Sequence, residues 1–247
     1  MSRPAVRAVI LAGGFGTRIR HLLPDRPKPM ALVSGRPFVE WILRYLQEGG
    51  VNDFVLSTGY RAEVIADYFA THPLVGARIA CVPEATPLGT AGGFLNCTAT
   101  AAPPDLWFIT NGDSLVFSPP CLLLDALRDP GVDAAVLGLP MADASRYGTL
   151  RIDNQGVLRG FCEKQPGAGL INAGVYVFRH HLLAGFPVVR PLSFEADVFP
   201  SLLQKHRIAV VASVSPFLDI GTESSLSEAD SFIRRNSAHF AATYLSP

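Results

Sequence analysis

The chain has 247 residues, of which 49% are hydrophobic and 17% charged, and its 21 basic and 21 acidic side chains give a formal net charge of +0. That length and apolar content suit a single packed α/β domain, and the charge balance excludes a general attraction to nucleic acid or to an anionic membrane, so any anion site must be local. No apolar run approaches membrane-spanning length and Met1-Ser2-Arg3-Pro4 does not open a signal peptide, which reads as a cytoplasmic protein without a membrane partner.

The first predicted element is a strand over Arg7 to Ala12, an apolar run that ends on Gly13-Gly14-Phe15-Gly16-Thr17-Arg18. Glycine has no side chain and tolerates turn angles that other residues avoid, so a phosphate can approach such a turn closely. Arg18 offers phosphate oxygens a planar fork, and Lys28, in Pro27-Lys28-Pro29-Met30, supplies a second, point-like cation a short loop later. The turn is not a Walker loop, because no glycine in it precedes a lysine. Nor does it complete a dinucleotide fingerprint. Gly14 and Gly16 match the first two glycines, but Ile19 stands in place of the third, and Thr58-Gly59-Tyr60 brings no acid to the end of the second strand.

Leu11-Ala12-Gly13-Gly14-Phe15-Gly16-Thr17-Arg18 with Pro27-Lys28-Pro29 resembles the signature of the sugar-1-phosphate nucleotidyltransferases, the nucleoside-diphosphate-sugar pyrophosphorylases. The resemblance implies a Rossmann-like, doubly wound, mostly parallel α/β sheet with a small β-rich sugar-binding lid. It implies a nucleoside triphosphate and a sugar 1-phosphate as substrates and Mg²⁺ as cofactor. It also covers essentially the whole chain as one domain: a nucleotide-binding core over about 1–140, a sugar-phosphate part over about 141–222 and a helical segment over about 223–247. Leu11, Ala12, Gly13, Gly14, Gly16 and Thr17 would then line the nucleotide, Arg18 would hold the departing β- and γ-phosphates, and Lys28 would bridge the α-phosphate and the incoming sugar phosphate.

Further along, Pro37 to Leu46 has helical periodicity closed by Gly49-Gly50, Phe54 to Tyr60 reads as a second strand, Ala62 to Phe69 as a helix and Arg78 to Pro83 as a third strand. This alternation predicts right-handed crossovers, with ligands at the carboxyl ends of the strands. Pro83 to Gly93 is a proline-fixed loop leading into a helix start. In the resembled family its Pro87-Leu88-Gly89-Thr90 segment holds the base. Glu84 lies just before it, and a carboxylate, which only accepts, matches the adjacent N1–H and N2–H₂ donors of guanine better than the carbonyls of uracil or thymine. GTP is therefore favoured.

Leu106 to Asp113 is an apolar strand ending in a carboxylate, a position where α/β enzymes place metal ligands. Asn111-Gly112-Asp113-Ser114 also resembles the family's Gly-Asp, which implies that Asp113 binds magnesium and that Asn111 faces the sugar phosphate. Val132 to Leu139 reads as another buried strand, and Tyr147 to Asp153 and Val157 to Glu163 read as a hairpin about Asn154-Gln155-Gly156. By their order in the family, Lys164 would meet the sugar phosphate, Glu163 and Asn172 would bond sugar hydroxyls, and Gly148 would offer backbone. The family's usual Glu-Lys-Pro is interrupted here by Gln165 before Pro166. Glu195, at a helix start, falls near the family's sugar pocket, and Asp219 in Phe217-Leu218-Asp219-Ile220-Gly221 takes the place of the second magnesium ligand. In the tail from Ser224 to Tyr244, Leu226, Ala229, Ile233 and Phe240 are spaced to pack on the core or on a partner subunit, which leaves room for a homo-oligomer.

Cys81, Cys97, Cys121 and Cys162 form no Cys-x-x-Cys pair and suggest neither zinc nor a disulfide framework. The implied reaction is attack by a sugar-1-phosphate oxygen on the α-phosphorus of the triphosphate, in line with departing pyrophosphate, where positioning and charge neutralisation dominate. Among relatives, the motifs and short length look most like guanylyltransferases for D-glycero-D-manno-heptose 1-phosphate, with mannose 1-phosphate next and uridylyltransferases close. A non-catalytic nucleotide-sugar-sensing module is the reading from another class. It is disfavoured because Arg18, Lys28, Asp113, Lys164 and Asp219 are all present.

Overall fold

An apolar run covered on both faces belongs at the centre of a sheet, and Val6–Ala12 (β1) occupies that place. The computed structural model describes residues 4–100, 102–183, 186 and 191–241. After β1 come a short hairpin of β2 (Leu32–Val33) and β3 (Arg36–Pro37), then α1 (Phe38–Glu48), β4 (Asp53–Thr58), α2 (Ala62–Thr71) and β5 (Arg78–Pro83). Next are α3 (Gly89–Thr98), β6 (Leu106–Asn111), β7 (Ser114–Val116), α4 (Pro120–Ala126) and β8 (Ala134–Met141). The remainder is β9 (Thr149–Ile152), β10 (Leu158–Cys162), β11 (Gly169–Arg179), a π-helical turn over Phe194–Val198 that runs into α5 (Phe199–Leu202), β12 (Ile208–Ala212), β13 (Phe217–Asp219), α6 (Glu223–Ser227) and α7 (Ala229–Arg235).

The main sheet runs β10-β9-β11-β6-β1-β4-β5, with β8 on β11 and β12 on β8. Strands β5, β4, β1 and β6 are parallel, as the βα alternation predicts, and β11 enters antiparallel to β6. Because successive side chains of a strand point to opposite faces, Ala8, Ile10 and Ala12 join a core with α1, α2, α4 and α7, whereas Val9 joins one with α3, the π-turn and α5. The predicted hairpin forms as β9 and β10, and it continues the sheet through the pairing of Thr149 with Ile171.

Two predicted elements differ in extent. The strand from Leu106 stops at Asn111, since Gly112 and Asp113 turn the chain into β7. The tail is two short helices rather than one. Ser227 and Ser231 hydroxyls donate to the Ser224 and Glu228 carbonyls at 2.7 and 3.0 Å, a local competition that shortens helices. Ala229, Ile233 and Phe240 are nonetheless buried on the core, with Phe240 against Trp41 at 5.0 Å between ring centroids. Tyr244 lies outside the described residues. No helix among the described residues is long and apolar enough to cross a membrane.

Phe94 of α3 is fully buried, 5.6 Å from the Trp107 ring and 5.7 Å from Phe194, and it ties the helix to the sheet and to the π-turn. Phe94→Ala is expected to lower unfolding free energy by about 3–5 kcal/mol, read as a reduced urea midpoint at unchanged slope.

Candidate active site

The carboxyl ends of β1, β4 and β6 face one side, and the loops leaving them build the site. After β1 the chain turns through Gly16 at φ +58°, and a Cβ added there would lie 2.9 Å from that of Lys28, so the turn needs a residue without one. Ile19 closes the turn by donating its N–H to the Gly16 carbonyl at 3.1 Å while its side chain is buried. The residue that breaks the dinucleotide fingerprint is thus the anchor of this loop. Lys28 sits on a 3₁₀ turn, Lys28–Met30, whose entry is fixed by Pro27 and whose Met30 N–H bonds the Pro27 carbonyl at 2.8 Å. Its side chain is 9% exposed, a degree of burial that an ammonium tolerates only beside a partner.

That partner is Asp113, whose Oδ2 accepts from Lys28 Nζ at 2.7 Å. Asp219 joins them because β13 pairs antiparallel with β7, placing Asp219 opposite Ser114. Its Oδ1 lies 4.0 Å from Lys28 Nζ and accepts from the Gly221 N–H, and its Oδ2 lies 3.7 Å from Arg146 Nη2. Arg146, which sequence reasoning did not single out, also stands over the Tyr147 ring at 5.5 Å. Its signal was a cation immediately before the Tyr147-Gly148 pair. Burial and then the charge of Asp219 push the Tyr147 phenol above its ordinary range, so it stays a neutral hydroxyl.

Two clefts meet at these charges. The larger, about 430 Å³, is lined by Leu11, Ala12, Gly13, Gly14, Gly16, Thr17, Arg18, Glu84, Pro87, Gly89 and Thr90, with Lys28, Asn111 and Asp113 at its end. The smaller, about 190 Å³, shares Arg18, Lys28, Asn111 and Asp113 and adds Tyr147, Asn172 and Asp219. Leu88 lines neither, but its N–H donates to Glu84 Oε2 at 2.9 Å. Gly148 contributes its carbonyl to the Asn172 N–H at 2.8 Å. Glu163 and Lys164 are not brought to either cleft: they lie exposed just past β10, at the end of an edge strand where charges stay in water. Glu195 also lines neither; both its oxygens are engaged by protein side chains.

Glu84 braces the larger cleft. Its Oε1 accepts from Ser57 at 2.7 Å, at the end of β4, while its Oε2 holds the loop before α3. The carboxylate fills the space against the glycine turn after β1 and against α3, where Gly13 and Gly93 lack side chains. Among the described residues no group of three or more His, Cys, Asp or Glu could hold a metal ion. Asp113 and Asp219 alone form a two-carboxylate set, which suits a cation that keeps waters and takes phosphate oxygens from its substrate.

A family model described as nucleotidyl transferase matches residues 7–236. The chain is 34% identical over 226 residues to a mannose-1-phosphate guanylyltransferase of Mycobacterium tuberculosis, covering 90% of this chain but 63% of that one. It thus spans under two thirds of that relative's length. It is 33% identical over 217 residues to a D-glycero-alpha-D-manno-heptose 1-phosphate guanylyltransferase of Campylobacter jejuni, covering 87% and 95% of the two. Its fold matches the crystal structure of HddC from Yersinia pseudotuberculosis complexed with GMP-PN, with a TM-score of 0.80, 31% identity and coverage of 91% and 98%.

The Glu84 brace makes a test with an inverted sign. Replacing a mid-helix glycine by alanine ordinarily stabilises a helix by about 1 kcal/mol. In Gly93→Ala the new Cβ would lie 2.6 Å from Glu84 Oε1 and 2.7 Å from Ser57 Oγ. The variant is therefore expected to lose about 1–3 kcal/mol in urea unfolding, and a gain would show that Glu84 does not hold this place.

Proposed function

Because the chain belongs to the nucleotidyl transferase family, we propose that it joins GTP to a sugar 1-phosphate and releases pyrophosphate, with D-glycero-D-manno-heptose 1-phosphate favoured over mannose 1-phosphate. The observation that carries the reading is the meeting of a nucleotide-sized cleft and a smaller one at Arg18, Lys28 and Asp113. Heptose is placed first because the heptose relative is matched over nearly its whole length, whereas the mannose relative extends well beyond the match.

In this mechanism an oxygen of the sugar phosphate attacks the α-phosphorus, a new P–O bond forms, and the bond to the β-phosphate breaks, its electron pair leaving with pyrophosphate. Both reactants are anions, so the protein's part is orientation and neutralisation rather than a covalent intermediate. Lys28, at the junction of the clefts, contacts both the α-phosphate and the incoming phosphate, and Arg18 with the Gly13 to Thr17 turn holds the departing oxygens. Asp113 and Asp219 are the residues that would hold Mg²⁺, which when bound supplies positive charge to the triphosphate. Asn111 and Asn172 take the sugar side. Glu84 reads the base: each of its oxygens accepts one bond within the protein, and a carboxylate has about four acceptor positions, so two are left for the guanine N1–H and N2–H₂. A cytoplasmic location agrees with these substrates.

The test is pyrophosphate release from GTP, UTP, dTTP, CTP and ATP, each against heptose, mannose and glucose 1-phosphates. GTP with the heptose phosphate is expected to lead, a pyrimidine triphosphate in front would overturn the base assignment, and no release from any pair would overturn the function. With the leading pair, Lys28→Ala and Asp113→Asn are each expected to lower kcat on the order of a hundredfold or more with an unchanged far-ultraviolet circular dichroism spectrum. Near-normal release in either variant removes that residue from the mechanism.

A further inference from the structure

Asn172 faces the smaller cleft, and its amide is held on every side but one. Its Nδ2 donates to the Tyr176 hydroxyl at 2.8 Å and to Glu195 Oε1 at 3.1 Å, which uses both amide hydrogens. Its Oδ1 accepts from the Gly174 N–H at 3.1 Å, which uses one of two lone pairs. The orientation follows from chemistry. A carboxylate only accepts and must meet the NH₂, and a backbone N–H only donates and must meet the oxygen.

The network behind Asn172 joins two pieces of chain, β11 and the π-helical turn with its preceding Ser193. The Tyr176 hydroxyl donates in turn to Glu195 Oε1 at 3.0 Å, and Ser193 Oγ donates to Glu195 Oε2 at 2.9 Å. Tyr176 is 2% exposed, so its hydroxyl is out of reach of solvent and of any cleft ligand. Glu195 sits on the π-helical turn, an irregular element that recurs where a side chain has to be aimed. On β11 the ladder to β8 shifts register between Asn172 and Tyr176, with Gly174 in that interval at φ +69° and its missing Cβ giving room to the Asn111 amide. Asn111 and Asn172 both line the smaller cleft.

We propose that Tyr176 and Glu195 are positioning residues that lock Asn172 with only its oxygen's second lone pair free, so that Asn172 reads a sugar hydroxyl as a hydrogen-bond donor. The assignment rests on the function proposed above and deepens it. It also moves Glu195 from a sugar contact to the support of one. Burial and the neighbouring Glu195 charge keep the Tyr176 phenol protonated and therefore a donor to the carboxylate. An unlocked amide could also turn and offer its NH₂ to the same hydroxyl as an acceptor, so the contact would be spread over two orientations and the cleft would distinguish a hydroxyl from a site without one less sharply.

Two arms test this on the full chain. In the first, with no substrate, the Asn172 side-chain NH₂ in ¹⁵N-labelled protein is expected to exchange slowly in the wild type and faster in Tyr176→Phe and in Glu195→Gln. In the second, Tyr176→Phe is expected to raise KM for mannose 1-phosphate about threefold to tenfold, leave KM for GTP unmoved and shrink, by a similar factor, the wild type's discrimination against one of the 2-, 3- and 4-deoxy mannose 1-phosphates. Equal exchange in all three proteins, or a KM and deoxy discrimination that Tyr176→Phe leaves unchanged, would overturn the proposal. So would a parallel rise in KM for GTP, which marks a general loss of structure. A wild type that turns over no sugar 1-phosphate would instead overturn the function, and the locking of Asn172 would then be decided by the exchange arm alone.

Discussion

The ion pair between Lys28 and Asp113 is the constraint on which the rest of the site depends. A nearly buried ammonium is tolerable only with a carboxylate against it, and here the two come from loops after different strands, so the sheet must hold β1 and β6 side by side for the pair to form. Asp219 and Arg146 extend the pair into an alternation of charge, negative, positive, negative, positive, across the junction of the two clefts. Such an array is suited to anionic ligands. In the reaction proposed above, a phosphate at the junction would compete with Asp113 for Lys28, and Asp113 with Asp219 would be the residues left to hold a cation.

The polar interior around that pair is stiffened from behind on both sides. At the larger cleft Glu84 joins the end of β4, the loop before α3 and the glycine turn after β1, and its volume accounts for glycine at positions 13 and 93. At the smaller cleft Tyr176 and Glu195 do the same for Asn172. In each case a half-buried carboxylate ties the pieces together, Glu84 within the wall of the larger cleft and Glu195 behind the wall of the smaller one. Half-buried polar groups held by several partners each favour a rigid site over an adaptable one.

Beneath both lies a sheet with apolar layers on each face. The alternation of Ala8, Val9 and Ile10 feeds two cores at once, so β1 can be neither displaced nor slipped by one residue without exposing one set. That immobility fixes where the glycine turn begins.

What the sequence determined by itself is whatever depends on neighbours along the chain. The apolar run of β1, the helical spacing read over Pro37 to Leu46, which forms as Phe38–Glu48, the glycine turn with Arg18, and the proline-bracketed Lys28 are local patterns with local physical causes. Only the tertiary structure decided the pairings between distant segments. The register of β7 against β13 brings Asp219 to Asp113, the bulge in β11 puts Asn172 over Tyr176, and Arg146 reaches Asp219 from the start of the hairpin. The family motif pointed to Asp219, but the contacts themselves cannot be read from spacing along the chain, because each is set by strand order and register. Glu163 and Lys164 show the converse: adjacent charges beside a plausible motif lie out in solvent, because the chain has by then left the edge strand β10.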